Sequence, residues 1–157
     1  VLDGVMAKSE SERHTLWHIR ELISDAQKHH GPNIKHDIAV PISALAAFMD
    51  ECHQALKTHY PDIQTVIFGH IGDGSLHYNI SRTRADNADP LVDEKHVNQI
   101  IYDLVYAHGG TLAAEHGIGQ LKTDWLKRYK DPASIRLMQQ IKACLDPLNL
   151  MNPGKIH

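Results

Sequence analysis

His70, His77 and Asn79 flank an Asp73-Gly74 dipeptide, which lies between the apolar run Val66-Ile67-Phe68 and a second alternating run. Asp-Gly between two such runs is the strongest short-range signal for a two-residue hairpin turn. With Asp73 and Gly74 as the central residues, 72 pairs with 75, 71 with 76 and 70 with 77. His70 and His77 then stand opposite one another on one face of a ribbon, Cβ atoms about 5 Å apart. Asn79 shares that face, two residues on. Two imidazoles and a carboxamide so placed can hold a divalent metal or a carboxylate; the other reading is a polar turn with surface histidines.

A second cluster, Ala114-Glu115-His116-Gly117-Ile118-Gly119, ends the short apolar run Thr111-Leu112-Ala113-Ala114. An acidic residue beside a His, followed by two glycines, suits a strand leaving a sheet into a tight loop. Glu115 with His70 and His77 would complete a two-His-one-carboxylate set, a common ligand set for Zn, Fe or Mn with positions open to water or substrate. His116 points away from Glu115 along a strand unless the Gly117 turn re-aims it. It is a candidate general base, because imidazole titrates near neutral pH.

The elements that must position these residues alternate along the chain. Ser9 and Glu12 form a capping-box pattern ahead of Leu16, Trp17, Ile19, Leu22, Ile23 and Ala26, an amphipathic helix of about five turns stopped by Gly31-Pro32. Ile34, His36, Ile38 and Val40 alternate with Lys35, Asp37 and Ala39 as a strand. Pro41 opens a helix with Leu45, Phe48, Met49, Cys52, Ala55 and Leu56 on its inner stripe. The ribbon over 64–81 follows. Asp89-Pro90 caps a helix carrying Val97, Ile100, Ile101, Leu104 and Val105, ended by Gly109-Gly110. A strand over 111–115, a helix over 121–129 and a last helix from Asp131-Pro132 to Leu145 complete the reading. From 34 to 115 the order is β-α-β-β-α-β, a ferredoxin-like α+β fold: an antiparallel sheet with helices on one face and extra terminal helices. The polar residues above would gather on its uncovered face.

The first helix offers a cation. Arg20 and Ser24 are four apart and share a helix face, on the flank of the apolar stripe. A half-buried Arg needs an anionic partner, which is either an Asp or Glu of this chain or, together with Lys35, a ligand carboxylate that its planar fork binds bidentately. Lys35 could equally form a surface arrangement with Asp37.

Composition sets outer limits. The chain has 157 residues, 42% of them hydrophobic, enough for one globular domain over 1–157 with a real core. Its net charge of −3 and lack of a basic run argue against a nucleic-acid surface. The apolar stretches are far short of the roughly 20 residues a membrane span requires. No secretory h-region is present, so a cytoplasmic location is expected, and the chain, which opens on Val1 without a Met, is expected to be a piece of something longer. Cys52 and Cys144, far apart and outside any CxxC pattern, are expected to be reduced, buried thiols.

Three segments resemble the signatures of one family. They are Gly69-His70-Ile71-Gly72-Asp73-Gly74-Ser75-Leu76-His77, then Ala114-Glu115-His116-Gly117-Ile118-Gly119 with Lys122, and finally Asp146-Pro147-Leu148-Asn149-Leu150-Met151-Asn152-Pro153-Gly154-Lys155. Together with Trp17-His18-Ile19-Arg20-Glu21 and Ile34–Pro41, they are similar to the C-terminal domain of FAD-linked oxidases, the family of glycolate oxidase subunits, D-lactate dehydrogenases and D-2-hydroxyglutarate dehydrogenases. The resemblance implies His70, His77 and Glu115 as ligands of a divalent metal, zinc foremost, and His116 as the catalytic base. It implies Arg20, Ser24, Lys35 and Asn79 as substrate contacts and Asn152 as a neighbour of the flavin. Ser75 stands where Asn is usual and Ser24 where Thr occurs; both keep turn or hydroxyl chemistry. It further implies a small 2-hydroxy acid as substrate, FAD held mostly by a preceding domain outside this chain, and an electron-transfer partner. A non-catalytic ferredoxin-like binding domain and a metal-dependent hydrolase are the alternatives drawn from the residues alone.

Overall fold

The computed structural model describes residues 4–27, 33–81 and 93–155. Three strands, β1 (Asn33–Ala39), β2 (Gln64–His70) and β3 (Ser75–Ser81), form one antiparallel sheet in the order β1-β3-β2. Helices α1 (Glu10–Glu21) and α2 (Ile23–Ala26) precede it, and α3 (Leu45–His59) links β1 to β2. After the sheet come α4 (Glu94–Ala107), α5 (Thr123–Tyr129) and α6 (Pro132–Leu145). The fold is α+β.

Strand alternation divides the sheet into two chemically distinct faces. Ile34, Ile38, Leu76, Tyr78 and Ile80 turn inward against Phe48, Cys52 and Leu56 of α3 and Val97, Ile101, Tyr102 and Val105 of α4. Helices α3 and α4 therefore cover one face, while Arg20 of α1 and Gln27 at the end of α2 reach over part of the other. Lys35, Asp37, His77, Asn79, Phe68 and His70 occupy the other, as their register shows: Asp37 pairs with His77, Lys35 with Asn79, Phe68 with His77 and His70 with Ser75.

That register corrects the expected hairpin. His70 faces Ser75 rather than His77, and four residues, not two, bridge the strands. The Asp73 carboxylate accepts the Ser75 N–H at 2.9 Å, while Gly74 N–H closes back on the His70 carbonyl at 3.0 Å. Gly74 sits at φ +78, and a Cβ there would lie 2.0 Å from the Val40 carbonyl oxygen, so turn and close approach both demand glycine. A shift of two positions preserves facing. His70 and His77 thus remain on one face, as diagonal neighbours.

The fourth strand expected over 111–115 shrinks to a single bridge, Thr111 with Ala39. Beyond it the backbone donors go elsewhere: the N–H groups of Ala114, Glu115 and His116 all point at the Asp37 carboxylate. The Gly109-Gly110 stop behaves as read, with Gly109 at φ +69 just past α4. The α4 cap is Asp93, whose carboxylate accepts the Lys95 N–H at 2.9 Å; the expected Asp89-Pro90 cap, like Gly31-Pro32, lies outside the described residues.

The terminal helices depart most from expectation. Ser9 caps α1, accepting the Glu12 N–H at 3.2 Å, but the helix breaks at Leu22 and continues as the short α2. Its stripe is not buried; Trp17 and Ile19 are 54% and 60% exposed. Helix α6, capped by Asp131, buries none of its residues, and Leu137, Ile141 and Leu145 lie exposed beside Leu148, Leu150 and Met151. Cys144 on that helix is exposed, contrary to expectation, whereas Cys52 is buried and its thiol is pushed up to about 12 by that burial and by Glu51. No helix among the described residues is long and apolar enough to cross a membrane.

His36 places an imidazole in the core face of the sheet, beside Tyr78. Its Nδ1–H donates to the Tyr78 carbonyl at 2.9 Å and Nε2 meets the Asn98 side-chain amide at 2.7 Å. Burial, partly offset by these two bonds, lowers its pKa from 6.5 to about 4. The unfolded chain therefore binds a proton in this window that the folded chain refuses, and stability falls as pH drops from 6.5 towards 4. The expected loss from this residue is about 3 kcal/mol. Thermal midpoints measured across that range should fall less steeply in His36→Gln; an identical slope would show that another group sets it.

Candidate active site

Asp37 organises the site. Its side chain accepts the backbone N–H of Ala114 at 3.2 Å, of Glu115 at 3.1 Å and of His116 at 2.9 Å. Burial by itself would push this carboxyl upward, but the N–H donors of His116 and Glu115, with the His116 and Lys122 charges, hold it below the usual carboxylate range. Lys122 fastens the same loop from below, its ammonium donating to the Asp37 carbonyl at 3.0 Å and to the Leu112 carbonyl at 2.5 Å. Burial lowers the Lys122 pKa, and Asp37 opposes that effect. Strand β1 thus anchors the 114–119 loop through one carboxylate. Gly117 and Gly119, at φ +75 and +57, turn the chain away immediately afterwards.

With the loop so held, Glu115 sits between the two histidines. One carboxylate oxygen is 3.3 Å from His70 Nδ1 and the other 3.7 Å from His77 Nε2. His116 is brought to the same side, its ring centroid 5.7 Å from that of His77. The Gly117 turn has therefore re-aimed it. Two overlapping sets share His77: the ligand atoms of Asp37, His77 and His116 all lie within 4.8 Å of one another, whereas His70 and His77 are joined through Glu115. The two sets are not equivalent. Asp37 Oδ2 already accepts three backbone N–H groups, which leaves little lone-pair capacity for a cation, whereas Glu115 accepts nothing from the backbone among the described residues. Two imidazoles and the Glu115 carboxylate are a donor set that suits a divalent metal such as zinc.

Ser24, Lys35, Asn79, His77, Glu115 and His116 line one cavity of about 570 Å³, together with Gln27, Phe68 and the 117–122 loop. His70 stands at its edge, linked through Glu115. Arg20 is close but not inside: its guanidinium lies over the Phe68 ring, 4.9 Å from the centroid, and Phe68 in turn stacks at 4.9 Å on His77. It has no acidic partner among the described residues. Asn152, at φ 49, is elsewhere, lining a groove of about 750 Å³ between α6 and the 146–155 tail. Asp146 shapes that tail: paired with Lys142 and accepting the Met151 and Leu150 N–H groups, it is held near a pKa of about 2.

Reading the residues alone missed three members. Asp37 had only the surface pairing with Lys35 as its reading, although the strand alternation already put it on the His77 side. Gln27 and Phe68 carried no signal beyond ordinary polarity and apolarity. Lys122 was visible as part of the glycine-loop signature but without a role.

Comparison with known proteins gives the family. The family described as "FAD linked oxidases, C-terminal domain" matches residues 1–156. A D-2-hydroxyglutarate dehydrogenase of Stutzerimonas stutzeri is 43% identical over 157 residues, covering 99% of this chain and 34% of its own length. The mitochondrial D-2-hydroxyglutarate dehydrogenases of Arabidopsis thaliana and Rattus norvegicus are each 33% identical across 99% of this chain, over 27% and 28% of their lengths. The chain therefore spans about a third of the length of the curated relatives it matches. It belongs to the FAD-linked oxidase C-terminal domain family.

Proposed function

We propose that this domain is the substrate-binding and proton-handling part of a flavin-dependent dehydrogenase that oxidises a D-2-hydroxy acid to the 2-oxo acid. The observation that carries the reading is the convergence of His70, His77, Glu115 and His116 on the sheet face opposite α3 and α4, beside a cavity lined by Lys35, Ser24 and Asn79. The family membership and the relatives' names support it.

His70, His77 and Glu115 would hold a divalent metal, zinc by donor type, whose chemistry is to polarise the substrate hydroxyl and lower its pKa. His116 takes the hydroxyl proton, since its ring is on the cavity wall beside His77. Lys35 supplies the charge for a substrate carboxylate, and Ser24 and Asn79 supply hydrogen-bonding groups that orient C2. Arg20 reaches the same carboxylate only by swinging its guanidinium off Phe68, a motion an exposed helix permits. FAD, held mainly by the part of the protein outside this chain, supplies the two-electron acceptor. Asn152 faces it from the tail, and an electron-transfer partner reoxidises it.

The exposed apolar faces of α1 and α6 fit this division of labour, because contiguous apolar surface of this kind marks an interaction site. The flavin-binding part of the same polypeptide is the partner we assign to them. The functional test is anaerobic mixing of the full-length flavoprotein with D- and L-2-hydroxy acids. Flavin reduction by the D series alone is expected; no reduction by any 2-hydroxy acid would contradict the reading.

A further inference from the structure

We propose that Gln27 is a specificity-determining residue that selects a 2-hydroxy acid carrying a second carboxylate at its far end. The inference rests on the reading above and concerns a residue it leaves unused.

Gln27 is 4% exposed and Asn79 is 5% exposed. Asn79 Nδ2–H donates to Gln27 Oε1 at 2.8 Å, which locks the two amides together. One bond cannot satisfy two amides. Gln27 Nε2 and Asn79 Oδ1 are left buried with no partner among the described residues. In this orientation the unmet N–H donor belongs to Gln27 and the unmet carbonyl acceptor to Asn79; flipping both amides would exchange them. Buried amides are otherwise nearly always paired, so two adjacent orphans in a cavity wall point to a ligand that completes them.

The position of the pair decides which part of the ligand it meets. Asn79 is two residues beyond His77 along β3, about 7 Å away along the strand. Lys35 is its cross-strand partner. With the reacting hydroxyl at His77 and His116, the corner made by Lys35 and Gln27 meets the distal end of a short acid. Lys35 gives that corner positive charge and Gln27 gives it a directed donor, a combination that fits a carboxylate. A monocarboxylic acid leaves the Gln27 donor unmet.

The test compares full-length, flavin-loaded protein with its Gln27→Leu and Gln27→Glu variants, each checked for flavin content and thermal midpoint. The substrates are D-2-hydroxyglutarate and D-2-hydroxyvalerate, which share a chain length and differ in the distal carboxylate. Glutarate and valerate serve as the corresponding competitive inhibitors. Losing one hydrogen bond to a charged group predicts that Gln27→Leu lowers the diacid-to-monoacid ratio of kcat/KM by about 10–100-fold, with the glutarate inhibition constant rising in step. Gln27→Glu should lower the ratio further by repulsion. Equal losses on both substrates, or an unchanged ratio, would overturn the assignment while leaving the dehydrogenase reading intact. A wild-type protein that oxidises neither acid would overturn both.

Discussion

Substituting His116 by Asn in the full-length flavoprotein is expected to lower kcat by about 10²–10⁴-fold, the usual worth of a positioned general base. Metal content and flavin content should remain near normal. The physical grounds are that His116 is not needed to build the loop that carries it. What Asp37 grips is the His116 backbone N–H, at 2.9 Å, and that donor survives any change of side chain. The ring itself is exposed on the cavity wall, 5.7 Å between centroids from His77. The loss should appear in kcat and in kcat/KM alike, because a proton acceptor acts in the transition state rather than in ground-state binding. Near-normal turnover in His116→Asn would place the base elsewhere.

The second large effect is expected at His77. It belongs to both overlapping ligand sets, the one with His70 and Glu115 and the one with Asp37 and His116. Removal of a group that merely orients a ligand costs 10–100-fold in metal affinity, so loss of His77 itself should cost more than about 100-fold. Elemental analysis of purified His77→Ala should find the metal gone, and activity should go with it. The neighbouring variants separate the two sets. His70→Ala should lose metal, because Glu115 links the two rings at 3.3 and 3.7 Å. Asp37→Asn should retain metal but loosen the 114–116 backbone, since its Oδ2 is committed to three N–H donors. The opposite pattern, metal lost in Asp37→Asn and kept in His70→Ala, would reassign the ligands.

The shared face of His70 and His77 was legible because strand parity tolerates an error of two. The Asp73-Gly74 turn was read as two residues long, and the Asx-type bond from Ser75 N–H to Asp73 makes it four. That changed every pair of the ribbon yet moved no side chain through the sheet. The strand over 111–115 failed for a reason that local patterning does not contain. Its donors are captured by a single carboxylate 77 to 79 residues away in sequence, a long-range contact with no periodic signature. The apolar periodicity of α1 is real, but its stripe faces away from this domain's core, as the exposure of Trp17 and Ile19 shows. Arg20 follows from the same error: on a helix that does not pack into the core it needs no acidic partner, and it rests on Phe68 instead.

The histidine-carboxylate cluster on the sheet face opposite α3 and α4 is proposed to make a metal-dependent hydroxy-acid oxidation site. The most direct measurement of this claim is the rate of flavin reduction when the full-length protein, oxidised and anaerobic, is mixed with D-2-hydroxyglutarate before and after metal removal by a chelator. The expected result is a fast reduction that disappears in the metal-free protein and returns on adding one equivalent of zinc, with no return in His77→Ala. Reduction at the full rate in protein shown by elemental analysis to be metal-free would contradict the claim.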